Sequence, residues 1–141
     1  MAEWEKARPR IYNVVTGFFP ESSPRATWET NPRPLLVCGV ATHEETGRHF
    51  CRIAYGTTQH LELAKPTDLV IGNLSELDAL GLKYTTRFVT NSGKQMVILP
   101  WDEEHFRPWS GKRSPVLGLL PEDMQHFLGR VLTSQLDLPQ F

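Results

Sequence analysis

The sequence predicts a small, mainly β fold: a strongly curved antiparallel barrel with one C-terminal α-helix. Three observations carry this expectation. Eleven prolines and ten glycines lie along the whole chain and cut it into pieces too short for a helical bundle. Between these breaks run short stretches of apolar, β-branched and aromatic residues with strand character. Only the segment from Pro121 onward carries a sustained helical period. One sheet of such short strands cannot bury both faces unless it curls or packs on a helix, and that requirement predicts the barrel.

The first ten residues are mixed and charged, with Trp4 the only large apolar side chain, and read as a flexible N-terminal arm, either frayed or weakly docked. Residues 11–136 read as a single domain and 137–141 as a tail. The first strand, 11–19, ends at Pro20. From 21 to 32 the composition shifts to Ser, Pro, Thr and Asn, interrupted by Arg25, Trp28 and Glu29. A loop of that length calls for a functional reason. Residues 34–41 are apolar throughout and predict a strand buried on both faces. After a turn over 42–48, residues 49–55 return as the other half of a hairpin. A register centred between Glu44 and Glu45 sets Cys38 opposite Cys51, and in a cytosolic chain two buried free thiols are expected there.

Downstream, 56–66 is a polar loop and 68–72 a short strand. Residues 75–80 form a turn or two of helix, with Ser75 as N-cap and Gly81 as left-handed stop. Strands follow at 84–90, 95–101 and 115–119, the last two separated by a polar loop over 102–114. Pro121 suits a first helical turn, and Glu122 and Asp123 suit the positive end of the helix dipole. Met124, Phe127, Leu128, Val131 and Leu132 then form one apolar stripe.

Composition narrows the function classes. The 141 residues are 40% hydrophobic and 22% charged, ordinary usage for one globular domain. Fifteen basic against sixteen acidic residues leave a net charge of -1. That balance excludes a globally basic nucleic-acid binder and leaves room for a local basic patch, such as the six basic and three acidic residues within 83–113. Two cysteines are too few for a disulfide scaffold, and no Cys or His pair has zinc-ligand spacing. No apolar run approaches the ~20 residues of a membrane span, and no apolar signal core opens the chain, so a soluble cytoplasmic protein is expected.

Two short motifs carry chemistry. In Asn31-Pro32-Arg33-Pro34 the prolines stiffen the backbone and hold Arg33 at the mouth of a buried strand. A guanidinium on such a platform suits a phosphate, and it equally suits a salt bridge to a loop acid. In Tyr55-Gly56-Thr57-Thr58-Gln59 a strand gives way to a loop that gathers two hydroxyls and an amide. These groups suit phosphate oxygens or a developing oxyanion, and they also suit local turn hydrogen bonds. Glu29 and His60 are the candidates for proton transfer. Trp28 and Phe106 are loop aromatics able either to stack on bases or to plug the barrel ends, the latter favoured for Phe106. Arg87, in the strand 84–90, either reaches the same site or caps the barrel rim.

Taken in order, these pieces resemble the PemK/MazF-type toxin endoribonucleases, in particular a PemK-like subgroup. The shared parts are a first strand, a long loop with a glutamate (Glu29), Arg33-Pro34-Leu35-Leu36-Val37, a hairpin, and Ala54-Tyr55-Gly56-Thr57-Thr58-Gln59. Gly81-Leu82-Lys83-Tyr84-Thr85-Thr86-Arg87-Phe88, Ile98-Leu99-Pro100-Trp101 and Pro115-Val116-Leu117-Gly118 continue the likeness across about residues 11–132. Three positions depart from the pattern: the Gly-Asp that opens the first strand is absent, Glu29 stands one place nearer to Arg33, and Pro32 replaces the glycine before Arg-Pro.

The resemblance implies an SH3-like barrel acting as a homodimer in the cytoplasm, inhibited by a small antitoxin protein. It implies cleavage of single-stranded RNA with no metal or other cofactor. Arg33, Thr57 and Glu29 would be catalytic, and Arg25, Trp28, Thr58, Gln59, His60 and Arg87 would hold the RNA. The departures leave a second implied reading, a toxin-like barrel without catalysis that binds RNA or protein.

Overall fold

A computed structural model of the chain describes residues 2–20 and 32–134. Its strands are β1 (Asn13–Gly17), β2 (Arg33–Thr42), β3 (His49–Thr57), β4 (Leu69–Ile71), β5 (Thr86–Phe88), β6 (Val97–Pro100) and β7 (Val116–Leu119). Its α-helices are α1 (Glu3–Lys6), α2 (Leu74–Ala79) and α3 (Glu122–Thr133). Among the described residues the strands form one antiparallel sheet in the order β4-β5-β3-β2-β1-β7, with β6 on β3. The sheet curls into a half-barrel and α3 packs against it, the mainly β class expected from the sequence.

Both faces of the sheet are buried, as the uninterrupted apolar run of β2 requires. On one face Val14, Leu36, Ala54 and Phe88 pack with Leu77 of α2 and Leu128 of α3. On the other, Val15, Leu35, Val37, Ile53 and Leu99 pack around Trp101 and Phe106. The α3 stripe behaves as its period predicts: Leu128 and Val131 are buried, and Met124, Phe127 and Leu132 pack on the first core. Phe106 is fully buried against the tilted Trp101 ring, centroids 4.6 Å apart, and plugs the second core. No helix among the described residues is long and apolar enough to cross a membrane.

Of the two readings of the N-terminal arm, docking is the one its contacts describe: Trp4 sits edge-on to Trp101 at 4.9 Å, and the Trp101 indole N–H donates to the Trp4 carbonyl at 3.1 Å. Several other local expectations need correction. The first strand shrinks from 11–19 to Asn13–Gly17, because Tyr12 takes a left-handed backbone (φ 77) and Phe18 turns off to donate to the His105 carbonyl. The cysteines do not face each other. A bulge between Val37 and Gly39 adds a residue to β2, so Cys51 pairs with Val40 and Cys38 is left over. Cys38 then belongs to one core and Cys51 to the other, both as buried free thiols. The N-cap of α2 is Asn73, whose side chain accepts from the Ser75 N–H at 2.9 Å, and Gly81 (φ 66) supplies the expected left-handed stop. The strand expected at 84–90 contracts to three residues because its partner β4 is only three residues long, leaving Tyr84 69% exposed.

Candidate functional site

The site is built from the ends of β2 and β3. The β2–β3 pairing runs through Leu36↔Ala54 to Leu35↔Tyr55, and two residues further along each strand Arg33 and Thr57 stand at the same end of the hairpin. Pro34 and Gly56 lie between them, and their backbones touch. A side chain on Gly56 would overlap the Pro34 carbonyl oxygen and approach the Phe88 ring to 2.8 Å. Only glycine permits so close a strand contact. The row extends both ways. Gly17 of β1 pairs with Arg33 on one side, and Arg87 of β5 pairs with Thr57 on the other. Strand alternation puts Arg33 on the Leu35 face of β2, and Tyr55 and Thr57 on the matching face of β3.

Three features fix the Arg33 backbone. Trp109 donates its indole N–H to the Pro32 carbonyl at 2.7 Å, Gly17 pairs across from Arg33, and the flanking prolines limit the torsions. Arg33 itself is exposed at the sheet end. Beside the row, the Phe19 and Tyr55 rings meet edge to face at 5.4 Å, and the Arg107 guanidinium lies 5.0 Å above the Phe18 ring. Trp109, Phe19 and Tyr55 were not singled out by sequence; an aromatic two residues before Thr57, hence on its face, was the available signal for Tyr55.

Thr57 closes its own turn. Its Oγ1 accepts from the Gln59 N–H at 3.1 Å and is 3.4 Å from the Gln59 carbonyl. Thr58, Gln59 and His60 follow on the surface. His60 has a left-handed backbone (φ 55), and its Nδ1 lies 3.6 Å from Glu62 Oε1. Arg87 belongs to the rim: its Nε donates to Asp68 Oδ2 at 2.9 Å and an Nη reaches the His60 carbonyl at 3.4 Å. Of the two roles expected for Arg87, capping the rim is the one its contacts describe. Arg25, Trp28 and Glu29 lie outside the described residues.

Asp68 is the most heavily bonded carboxylate near the row. Burial alone would push its pKa up, but hydrogen bonds from the Lys65 N–H, the Asn91 side chain, Arg87 and the Asn91 N–H outweigh burial and hold it below the ordinary value. Sequence reasoning passed over Asp68 because a single acid ahead of a short strand has no motif of its own.

A strand-end arginine at the same end of a hairpin as a hydroxyl, on a backbone braced by prolines and a close glycine contact, suits a phosphodiester. Searches of family models and of curated proteins returned no match to this chain.

Proposed function

We propose that the chain is an endoribonuclease of the PemK/MazF type, the toxin of a type II toxin–antitoxin pair, cleaving single-stranded RNA. The observation that supports this reading is that Arg33 and Thr57 each lie two residues beyond the Leu35↔Tyr55 pair, at the same end of the β2–β3 hairpin. The RNA supplies its own nucleophile. Its 2′-hydroxyl attacks the neighbouring phosphorus, the bond to the 5′-oxygen breaks, and the products are a 2′,3′-cyclic phosphate and a 5′-hydroxyl. A base takes the 2′ proton and an acid returns one to the leaving oxygen.

The protein then has three tasks: holding the phosphate, stabilising charge on its oxygens in the transition state, and moving two protons. Arg33 serves the first two and Thr57 adds a hydroxyl donor. Glu29 and His60 are the proton-transfer candidates. Thr58 and Gln59, with Arg25 and Trp28, serve the flanking nucleotides. The working form is a cytoplasmic homodimer that a small antitoxin inhibits.

A second reading is favoured by one contact. Because the Thr57 hydroxyl is engaged with Gln59, it serves equally as a turn cap in a barrel that binds RNA or protein without cutting. Expression in a bacterial host separates the two. The nuclease reading expects growth arrest that Arg33→Ala abolishes and that co-expression of a small neighbouring open reading frame relieves. Normal growth on expression of the folded wild-type chain favours the binding module.

A further inference from the structure

We propose that Asp68 and Arg87 are a positioning pair that holds the turn 58–60, and so sets where the Thr57 hydroxyl and the His60 ring stand. The catalytic part of this inference rests on the endoribonuclease reading; the mechanical part does not.

Asp68 is 5% exposed and gathers three separate stretches of chain. Its Oδ1 accepts from the Thr90 N–H (3.1 Å), the Asn91 N–H (3.0 Å) and the Asn91 side-chain amide (2.7 Å). Its Oδ2 accepts from the Lys65 N–H (2.9 Å) and Arg87 Nε (2.9 Å). With both oxygens committed, the carboxylate is a fixed anchor. The Arg87 side chain, 12% exposed, leaves that anchor with an Nη directed at the His60 carbonyl, 3.4 Å away. Arg87 is also the β5 residue that pairs with Thr57. Arg87 therefore joins three parts: its backbone pairs with the strand that carries Thr57, and its guanidinium bridges the anchor and the turn that follows.

The turn needs such a hold. His60 adopts φ 55 and ψ 42, a backbone conformation that side chains other than glycine disfavour unless neighbours impose it. The His60 carbonyl accepts the Leu63 N–H at 3.0 Å, and the Arg87 Nη at 3.4 Å ties the same carbonyl to the Asp68 anchor. Arg87 is neutralised by a buried partner and acts through the turn.

Hydrogen exchange and steady-state kinetics on the full chain test this. In the wild type, amides 58–60 should exchange more slowly than those of the hairpin tip 44–46. Arg87→Lys, which keeps a cation beside Asp68, should raise exchange over 58–60. The same variant should lower kcat about 10- to 10²-fold with KM near the wild-type value, the loss expected when reacting groups are misplaced by about an ångström. Asp68→Asn should act in the same direction on both readings.

Exchange over 58–60 as fast as at the hairpin tip in the wild type, or unchanged in Arg87→Lys, overturns the positioning role. A raised KM at unchanged kcat also overturns it, and makes Arg87 a substrate contact. If the wild type does not cut RNA, the nuclease reading fails on its own and the exchange comparison still decides the clamp.

Discussion

Gly56 and Pro34 form a close joint between β2 and β3: there is no room for a Cβ on Gly56 between the Pro34 carbonyl and the Phe88 ring. This joint lies one residue from both Arg33 and Thr57 and holds the two strand ends close together. Gly56→Ala should destabilise the fold by roughly 1–3 kcal/mol, as overpacking in a filled interior does. Because the obstacle is backbone, the strands must part to admit the methyl. Activity per folded molecule should therefore also fall. Thermal melts combined with cleavage rates on the folded fraction check both effects.

Acid should loosen the Asp68 anchor. A carboxylate with a depressed folded pKa stabilises the native state above its unfolded pKa, and that contribution is lost as pH falls through the folded value. Stability should thus decline below the ordinary carboxylate value of 3.8, toward the lower folded value of Asp68. Asp68→Asn should be the less stable protein at neutral pH, and the gap to wild type should close on acidification. Urea denaturation at a series of pH values gives the comparison.

The two thiols should be inert while the chain is folded. Burial raises Cys38 and Cys51 from 9.0 to about 12, an effect that Arg52 and a backbone hydrogen bond from Ala54 only partly offset at Cys38. At pH 8 a thiol reagent should leave the native chain unmodified and label both cysteines once it is denatured. The linkage has the opposite sign to that of Asp68. Unfolded thiols ionise near 9 while the folded ones keep their protons, so stability should fall as pH rises past 9.

Much of this was legible in the sequence where one local rule acts alone. The α3 stripe, the apolar β2 run and the Gly81 stop each follow from periodicity, composition or a single backbone requirement. Arg33 and Thr57 stood out because prolines and a glycine mark their positions. What escaped depends on partners distant in the chain. Nothing near Cys38 announces the bulge that moves it away from Cys51, since a bulge answers to the packing of two cores at once. Ser75 is as good a capping residue as Asn73, and which one caps is decided by where β4 ends. Asp68 and Arg87 are individually ordinary charges, and only the β4–β5 pairing makes them an anchor. Trp109 read as part of a polar loop until its indole met the Pro32 carbonyl, the contact that braces the start of β2.

The most direct test is end-mapping of a mixed RNA incubated in EDTA with the purified chain and with Arg33→Ala. The wild type should cut at discrete sites, leaving 2′,3′-cyclic phosphate and 5′-hydroxyl ends. Arg33→Ala should be slower by about 10²–10³, the cost of removing one transition-state donor. Cutting that requires added magnesium, or an Arg33→Ala rate equal to wild type, would contradict the assignment of the Arg33–Thr57 row as the phosphate site.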